Sequence, residues 1–158
     1  MTTVADILKY IETIAPPHMA EGWDNVGLLC GRKDRPVQKI LVALDPFRSV
    51  IDEAIRIGAD LIVTHHPLIF GEDVKAVNTD TETGRCLLTL IENGIAAINA
   101  HTNLDQAPGG VNDILAKKLA LVNIQVLNPA GTDAEGRQWG LIRVGEVPEQ
   151  PLEAFLNR

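Results

Sequence analysis

Apolar side chains recur at helical spacing near the start of the chain, where they would share one face of a helix. They are Val4, Ile7, Leu8, Ile11 and Ile14. Thr3 and Asp6 are the residue types of a capping box, which predicts that the helix begins there. Pro16 and Pro17 end the helix, and an irregular loop is expected to reach Asn25.

Short apolar runs then alternate with helical patterns. We expect strands over residues 26–30, 40–44, 61–63 and 95–98, and helices over residues 49–57 and 83–93. Ser49 and Asp52 are expected to cap the first of these helices, and Gly58 and Gly94 to close the two helices in the left-handed conformation. Strands that are apolar almost throughout are typical of a parallel sheet buried on both faces. The pattern therefore predicts an α/β fold, a mostly parallel sheet with helices on both faces.

Beyond this alternation, a Pro-Gly-Gly turn at residues 108–110 precedes an expected helix over 111–119 and strands around 124–127 and 140–144. The last eight residues resemble the first turns of a helix, with Pro151 at the first helical position and nothing that closes it. We expect residues 1–158 to form a single α/β domain, the N-terminal part of a longer architecture.

The composition limits the classes of function. A chain of 158 residues with 46% hydrophobic and 22% charged residues is typical of one folded domain. The net charge of -7 disfavours nucleic acid as a partner, because lysines and arginines must neutralise many phosphates in such a complex. No apolar run approaches membrane-spanning length and the first residues do not form a secretory signal, so a cytoplasmic location is expected. Cys30 and Cys86 are expected to be reduced, mostly buried thiols without a function.

Candidate chemistry lies directly after the predicted strands. Asp45 follows the first parallel strand, His65 and His66 follow the second, and His101 and Asp105 follow the third. In an open α/β sheet, ligands bind beyond the carboxyl ends of the strands, so these side chains are expected along one edge. Imidazole and carboxylate groups are ligands of Zn, Mn, Fe and related divalent ions. The placement therefore predicts a metal site.

The adjacency of His65 and His66 favours two ions, or one ion and a substrate, over closure on a single ion. Successive side chains of an extended segment point in opposite directions, and Pro67 favours an extended conformation for His66.

Simpler interpretations stay open for each of these residues. A His-His pair can be two surface or hydrogen-bonded histidines, and His101 can orient a ligand rather than act as one. Asp45 is expected to hydrogen-bond a neighbouring loop rather than bind metal. His18, in the proline-rich loop, is expected to be exposed or structural.

The loop over residues 22–27 is the other unusual feature, because it combines Trp23 with Asp24 and Asn25. These side chains can anchor the loop, or they can form a wall of the pocket. The sequence has no Gly-x-Ser-x-Gly elbow and no Gly-x-x-x-x-Gly-Lys phosphate loop, which leaves metal-activated water as the catalytic device with support.

Segments in a fixed order resemble a known family. They are WDNVGL at 23–28, LD at 44–45, THHPLIF at 64–70 and AHTNLD at 100–105. Together they are similar to the GTP cyclohydrolase 1 type 2 homologue family, also described as NIF-three-like dinuclear-metal-centre proteins. The resemblance implies an α/β fold, a ring-shaped homohexamer, and up to two divalent ions per subunit. It implies that His65, His66 and Asp105 bind the ions, with His101 close by. We expect His101 to act as a further ligand or as a proton-transfer residue.

One departure from the family bears on metal binding. The resemblance implies that a second half of the family's chains supplies a further histidine and a glutamate to the two-ion site, and neither is expected here. We therefore predict weak or partial metal occupancy. The leading hypothesis is a metal-dependent hydrolase of a small nucleotide-like or phosphate-bearing substrate. The alternative is a non-catalytic metal-binding scaffold or regulatory protein that acts through oligomeric assembly.

Overall fold

A computed structural model describes residues 1–71 and 74–157 of the chain. The helices in this part are α1 (Val4–Ile14), α2 (Arg48–Ile57), α3 (Glu82–Asn93), α4 (Thr102–Gln106), α5 (Val111–Lys118) and α6 (Leu152–Leu156), with a 3-10 turn at Pro17–Met19. The strands are β1 (Gly27–Cys30), β2 (Ile40–Ala43), β3 (Leu61–Thr64), β4 (Ala96–Asn99), β5 (Val122–Leu127), β6 (Gly131–Thr132), β7 (Gln138–Trp139) and β8 (Ile142–Glu146).

The main sheet has four strands in the order β1-β4-β3-β2. Strands β2, β3 and β4 are parallel, as predicted, while β1 pairs antiparallel with β4. The three parallel strands end at the same level of the sheet, because Ala43 pairs with Thr64 and Thr64 pairs with Asn99. Because β1 runs the other way, its first residue, Gly27, pairs with Asn99 at the same edge. Four chain segments therefore meet at one end of the sheet.

Helices cover both faces of this sheet, which confirms the predicted α/β architecture. On one face, α1 packs against alternate strand residues such as Leu61 and Ile98. On the other face, α2 and α3 pack against the intervening residues, including Ile62 and Ala97. Alternate side chains of each strand thus contribute to the two cores, which is why the strands are apolar almost throughout.

Of the helix caps predicted from the sequence, three are present in the structure and one is not. Thr3 and Asp6 form the reciprocal hydrogen bonds of a capping box at the start of α1. Gly58 and Gly94 end α2 and α3 in the left-handed conformation. The predicted cap at Ser49 is wrong, because α2 already begins at Arg48 and its N-cap, Phe47, makes no side-chain cap bond.

The C-terminal part is a smaller layer in which β5 and β8 form an antiparallel pair beside α5. The predicted strand over 140–144 starts too early, because the Gly140 amide donates to the Gln106 carbonyl (3.4 Å) before β8 begins at Ile142. The final helix is present, but Pro151 is its N-cap rather than its first residue. Within the described ranges, no helix has both the length and the apolar character needed to cross a membrane.

Candidate metal centre

The segments that follow the parallel strands lie close together, because hydrogen bonds between their backbones continue beyond the strand ends. The His66 amide donates to the Leu44 carbonyl (3.0 Å), and the Ala100 amide donates to the Thr64 carbonyl (3.1 Å). These bonds hold the segments after β2, β3 and β4 side by side. Hydrogen bonding of the backbone therefore fixes where the following side chains emerge.

Three histidines form the centre of the site. One ring nitrogen from each of His65, His66 and His101 lies within 4.8 Å of those of the other two. Their ring centroids are 5.1 to 5.6 Å apart. All three side chains are partly buried, so their nitrogen atoms are neither freely hydrated nor sealed from a ligand. We call this group the three-histidine cluster.

Each imidazole of the cluster has its Nδ1 atom beside an oxygen. The pairs are His65 with the Ala100 carbonyl (2.9 Å), His66 with Asp45 Oδ1 (2.6 Å) and His101 with Asp24 Oδ1 (2.9 Å). A carbonyl or carboxylate acceptor places the proton on Nδ1 and leaves Nε2 with a lone pair. This arrangement is typical of metal-binding histidines, whose second nitrogen is oriented in this way.

Asp105 stands beside one member of the cluster. Its Oδ1 atom lies 3.5 Å from Nε2 of His65, and both side chains are mostly buried. This separation is too long for a good hydrogen bond. It equals the spacing of two atoms that share one tetrahedral ion at bond lengths of about 2.0 to 2.2 Å. The pair thus has the geometry of two ligands of a common ion.

Asp24 is the most enclosed group of the site. Its carboxylate has 0% exposed surface and accepts hydrogen bonds from His101, the Thr102 amide (3.0 Å) and the Thr102 hydroxyl. Burial alone would raise the pKa of Asp24, but the bonds from His101 and Thr102 outweigh it and hold the pKa below its ordinary value. Asp24 is therefore a fixed anion that orients the His101 ring.

The structure corrects one expectation about the paired histidines. His65 and His66 do not point in opposite directions, because both lie in a bend after β3, where strand alternation has ended. Both rings reach the same cluster. Asp45 hydrogen-bonds His66 on the neighbouring loop, as expected from the sequence. His18 is exposed and its ring meets only the edge of the Trp139 ring among described aromatic contacts, with centroids 6.0 Å apart.

In the described part of the chain, a larger and a smaller cavity adjoin the cluster, and both are lined by His66 and Pro67. The larger has a volume of about 540 Å³ and is lined by residues of three segments, among them Arg48, Ser49 and Thr83. The smaller, about 240 Å³, is lined by His66, Pro67, Phe70 and His101. Together they give a ligand space that adjoins His66 and Pro67.

Sequence reasoning did not identify Asp24 as the partner of His101. The loop that carries Asp24 precedes β1, and it reaches the site because β1 is antiparallel and starts at the edge where β4 ends. The available signal was the concentration of Trp, Asp and Asn in that loop. Asn25 also fixes the loop, since its side-chain amide donates to the Ile69 carbonyl (2.9 Å).

Comparison with known proteins gives a consistent result. Residues 2–158 match the family model described as Duf34/NIF3 (NGG1p interacting factor 3). Similar sequences named GTP cyclohydrolase 1 type 2 homolog occur in Clostridium perfringens and Streptomyces coelicolor. Identity is 42% over 145 residues in the first (92% of this chain, 54% of the relative) and 42% over 147 residues in the second (93% and 51%). The chain thus spans about half the length of these curated relatives.

A solved structure shares the fold described above. The Bacillus cereus protein related to NIF3 has a TM-score of 0.77 and 44% sequence identity, and the match covers 83% of this chain and 36% of that one. The family suggested by the sequence segments is therefore supported by both the sequence and the three-dimensional comparison.

Proposed function

Because this chain belongs to the Duf34/NIF3 family, we propose that it binds divalent metal and hydrolyses a small nucleotide-like or phosphate-bearing substrate. The observation that carries this proposal is the orientation of the three-histidine cluster, in which every Nδ1 atom is already beside an oxygen acceptor. Each Nε2 atom is thereby left for metal or for proton transfer, and one ring nitrogen of each histidine lies within 4.8 Å of those of the other two.

We assign metal binding to His65, His66 and Asp105. His65 and Asp105 have the spacing of two ligands on one ion, and His66 is oriented by a charged acceptor. Imidazole with carboxylate suits Zn, Mn or Fe, and the choice among them depends on availability. Because these side chains are too few to saturate two ions, we expect partial occupancy in the isolated chain.

His101 is assigned to proton transfer. Its Nδ1 atom is held by the buried Asp24 carboxylate, which fixes the tautomer and the orientation of the ring. A ring nitrogen of His101 lies within 4.8 Å of one in His65 and one in His66, so a ligand held by those two residues would be within its reach. A carboxylate that orients an imidazole base is a common arrangement in acid-base catalysis.

A divalent ion, when bound, supplies Lewis acidity toward a substrate oxygen and acidifies water. The protein supplies the enclosed space in which that chemistry occurs. The cavity of about 540 Å³ adjoins His66, and its lining includes the acidic residues Asp45 and Glu82. It also includes Arg48, which bonds Asp52 through Nε, and the hydroxyl-bearing residues Ser49 and Thr83, and these three carry N–H or O–H groups. These groups are hydrogen-bond donors suited to the oxygen atoms of a sugar or phosphate. Relatives named GTP cyclohydrolase 1 type 2 homolog make GTP the first substrate to test.

The test combines metal analysis with turnover. Purified protein is loaded with Zn or Mn, its metal content is measured by mass spectrometry, and GTP and a panel of nucleotides and phosphoesters are assayed. We expect His65→Ala and Asp105→Asn to lower metal content and turnover together, and His101→Ala to abolish turnover while metal remains. His18→Ala is the matched control, because this histidine is exposed and lies outside the cluster. Equal metal content in all four variants would contradict the assignment.

A second candidate is the non-catalytic scaffold, which one observation favours. Strand β2 lies at the edge of the sheet, and its exposed side chains Ile40 and Val42, with Leu44 directly after the strand, form an apolar strip. Such strips on edge strands are suited to contact between chains. Assembly into a homohexamer and a cytoplasmic location remain predictions of the sequence. Metal binding without turnover against the whole panel would favour this candidate.

A further inference from the structure

We propose, building on the proposed function, that Trp23 and Phe70 form a stacking platform for a planar heteroaromatic ring of the ligand. The platform lies beside the three-histidine cluster and would select ligands that carry a nucleobase-like ring. It adds a recognition element to a site otherwise defined by its metal-binding and proton-transfer groups.

Exposure of these two rings is the first observation. The chain contains only two tryptophans, three phenylalanines and one tyrosine. Trp23 is nevertheless 60% exposed and Phe70 49% exposed, although aromatic side chains contribute the largest apolar area to a core. A single exposed apolar residue needs no explanation, but these two contact each other and both contact a histidine of the site.

The geometry of the pair suits a flat ligand. The ring centroids of Trp23 and Phe70 lie 5.9 Å apart with an angle of 83° between the ring planes. Both rings also stand edge-on to His101, at 6.5 Å and 6.1 Å. A planar ring stacked on one of the two would therefore meet the other edge-to-face, and both arrangements are favourable for aromatic groups.

The two rings are also fixed in position before any ligand arrives. Trp23 precedes Asp24, whose carboxylate is bonded to His101 and Thr102. The next residue, Asn25, donates its side-chain amide to the carbonyl of Ile69, and Ile69 precedes Phe70. This bond joins the two loops that carry the rings. A platform held in this way loses little conformational entropy when it binds.

The size of the adjoining cavity indicates which part of a ligand fits. Phe70 lines the cavity of about 240 Å³ together with His66, Pro67 and His101. This volume is below the range of about 300 to 1,000 Å³ typical of whole-ligand pockets, so it suits a single ring or ring system. The rest of a nucleotide can extend past His66 into the cavity of about 540 Å³, which has the more polar lining groups.

The experiment uses Trp23 as its own reporter. The substitution Trp139→Phe leaves Trp23 as the only tryptophan of the full chain. Guanosine, adenosine and ribose 5-phosphate are each titrated into this variant, first in the presence of EDTA and then in the presence of Zn. The fluorescence emission of Trp23 is recorded, and a parallel titration of free tryptophan corrects for absorbance by the ligand. We expect saturable quenching by both nucleosides and none by ribose 5-phosphate, because only the nucleosides carry a π-face.

Calorimetry of matched variants tests the platform directly. Phe70→Leu is expected to weaken nucleoside binding roughly 10-fold, the loss typical of one stacking contact, and Phe70→Tyr to restore it. Tyr10→Leu is the control, since Tyr10 is an exposed aromatic residue on α1, outside the site. Circular dichroism confirms that each variant is folded.

The outcomes separate this proposal from the proposed function. Nucleoside binding that is equal in Phe70→Leu and the parent protein, or absent from both, would overturn the platform, whatever the metal content. Binding that depends on Phe70 supports the platform even if no nucleotide is hydrolysed, because the titration measures occupancy rather than turnover. Equal binding of ribose 5-phosphate and nucleosides would show that the sugar, not the ring, is recognised.

Discussion

The Nδ1 atom of His66 lies 2.6 Å from Oδ1 of Asp45, which joins the segment after β3 to the segment after β2. The bond leaves Nε2 of His66 as the ligand atom and fixes the orientation of the ring. We predict that Asp45→Asn lowers the affinity for Zn or Mn by about 10- to 100-fold, the usual effect of losing a carboxylate that orients a metal-binding histidine. Calorimetric titration of the metal-free protein measures the change.

The matched control for this substitution is Asp52→Asn. Asp52 is also close to the start of α2, but its carboxylate bonds Arg48 rather than a histidine. We expect its metal affinity to equal that of the parent protein. If Asp45→Asn and Asp52→Asn bind metal equally well, Asp45 does not orient a metal ligand.

Much of the candidate metal centre is predictable from the sequence, because the register of the strands determines where its residues lie. Once β2, β3 and β4 are recognised as parallel strands, Asp45, His66 and His101 must emerge at one edge. Their types then indicate a metal site. The prediction needs only the apolar runs and the residue that follows each run.

Other parts of the site depend on contacts that no local pattern reveals. Helix α4 has five residues and a polar sequence, so it carries no usable periodicity. It is held by distant contacts: the Asn103 side chain donates to the Ala15 carbonyl (2.7 Å), and Thr102 bonds Asp24. The pairing of Asp24 with His101 likewise requires the direction of β1, which its four residues do not determine.

The ion pair between Asp113 and Arg143 is predicted to make stability depend on pH. Burial would raise the pKa of Asp113, but hydrogen bonds from Arg143 and the Gly109 amide outweigh it and lower the pKa below its ordinary value. A carboxyl whose pKa is lowered on folding stabilises the protein above its unfolded pKa of about 3.9. That stability is lost as the pH falls below this value and through the pKa of the folded state.

Asp113→Asn tests this pair. The Arg143 side chain is only 5% exposed, so loss of its partner is expected to cost about 3 kcal/mol at pH 7, with a smaller difference near pH 3. Urea unfolding of parent and variant at pH 7, 5 and 3 measures the free energies. Asp34→Asn, in an exposed pair with Arg32, is expected to change little at any pH. A difference for Asp113→Asn that does not shrink in acid would contradict the assigned pKa direction.

The apolar strip on β2 is predicted to mediate self-association. Val42 is 74% exposed on an edge strand, and a charged side chain there opposes contact between chains. We expect Val42→Lys to shift the protein to a smaller species in analytical ultracentrifugation. Tyr10→Lys places the same charge on the exposed surface of α1 and is expected to leave the assembly unchanged. Identical sedimentation of the parent and both variants would exclude β2 as the contact.

Two glycines with positive φ are predicted to differ sharply when each is replaced by alanine. Gly31 has φ +104°, and a Cβ atom there would lie 2.7 Å from the Cα and Cβ atoms of Ala96 in the buried strand β4. Gly58 has φ +66°, with open space around the same position. Gly31→Ala combines backbone strain with overpacking and is expected to cost about 3 kcal/mol or more. Gly58→Ala adds only the left-handed penalty of about 1 kcal/mol. Urea unfolding measures the free energy of unfolding of each variant. Equal losses of stability would mean that β4 shifts at Ala96 to make room for the added Cβ atom.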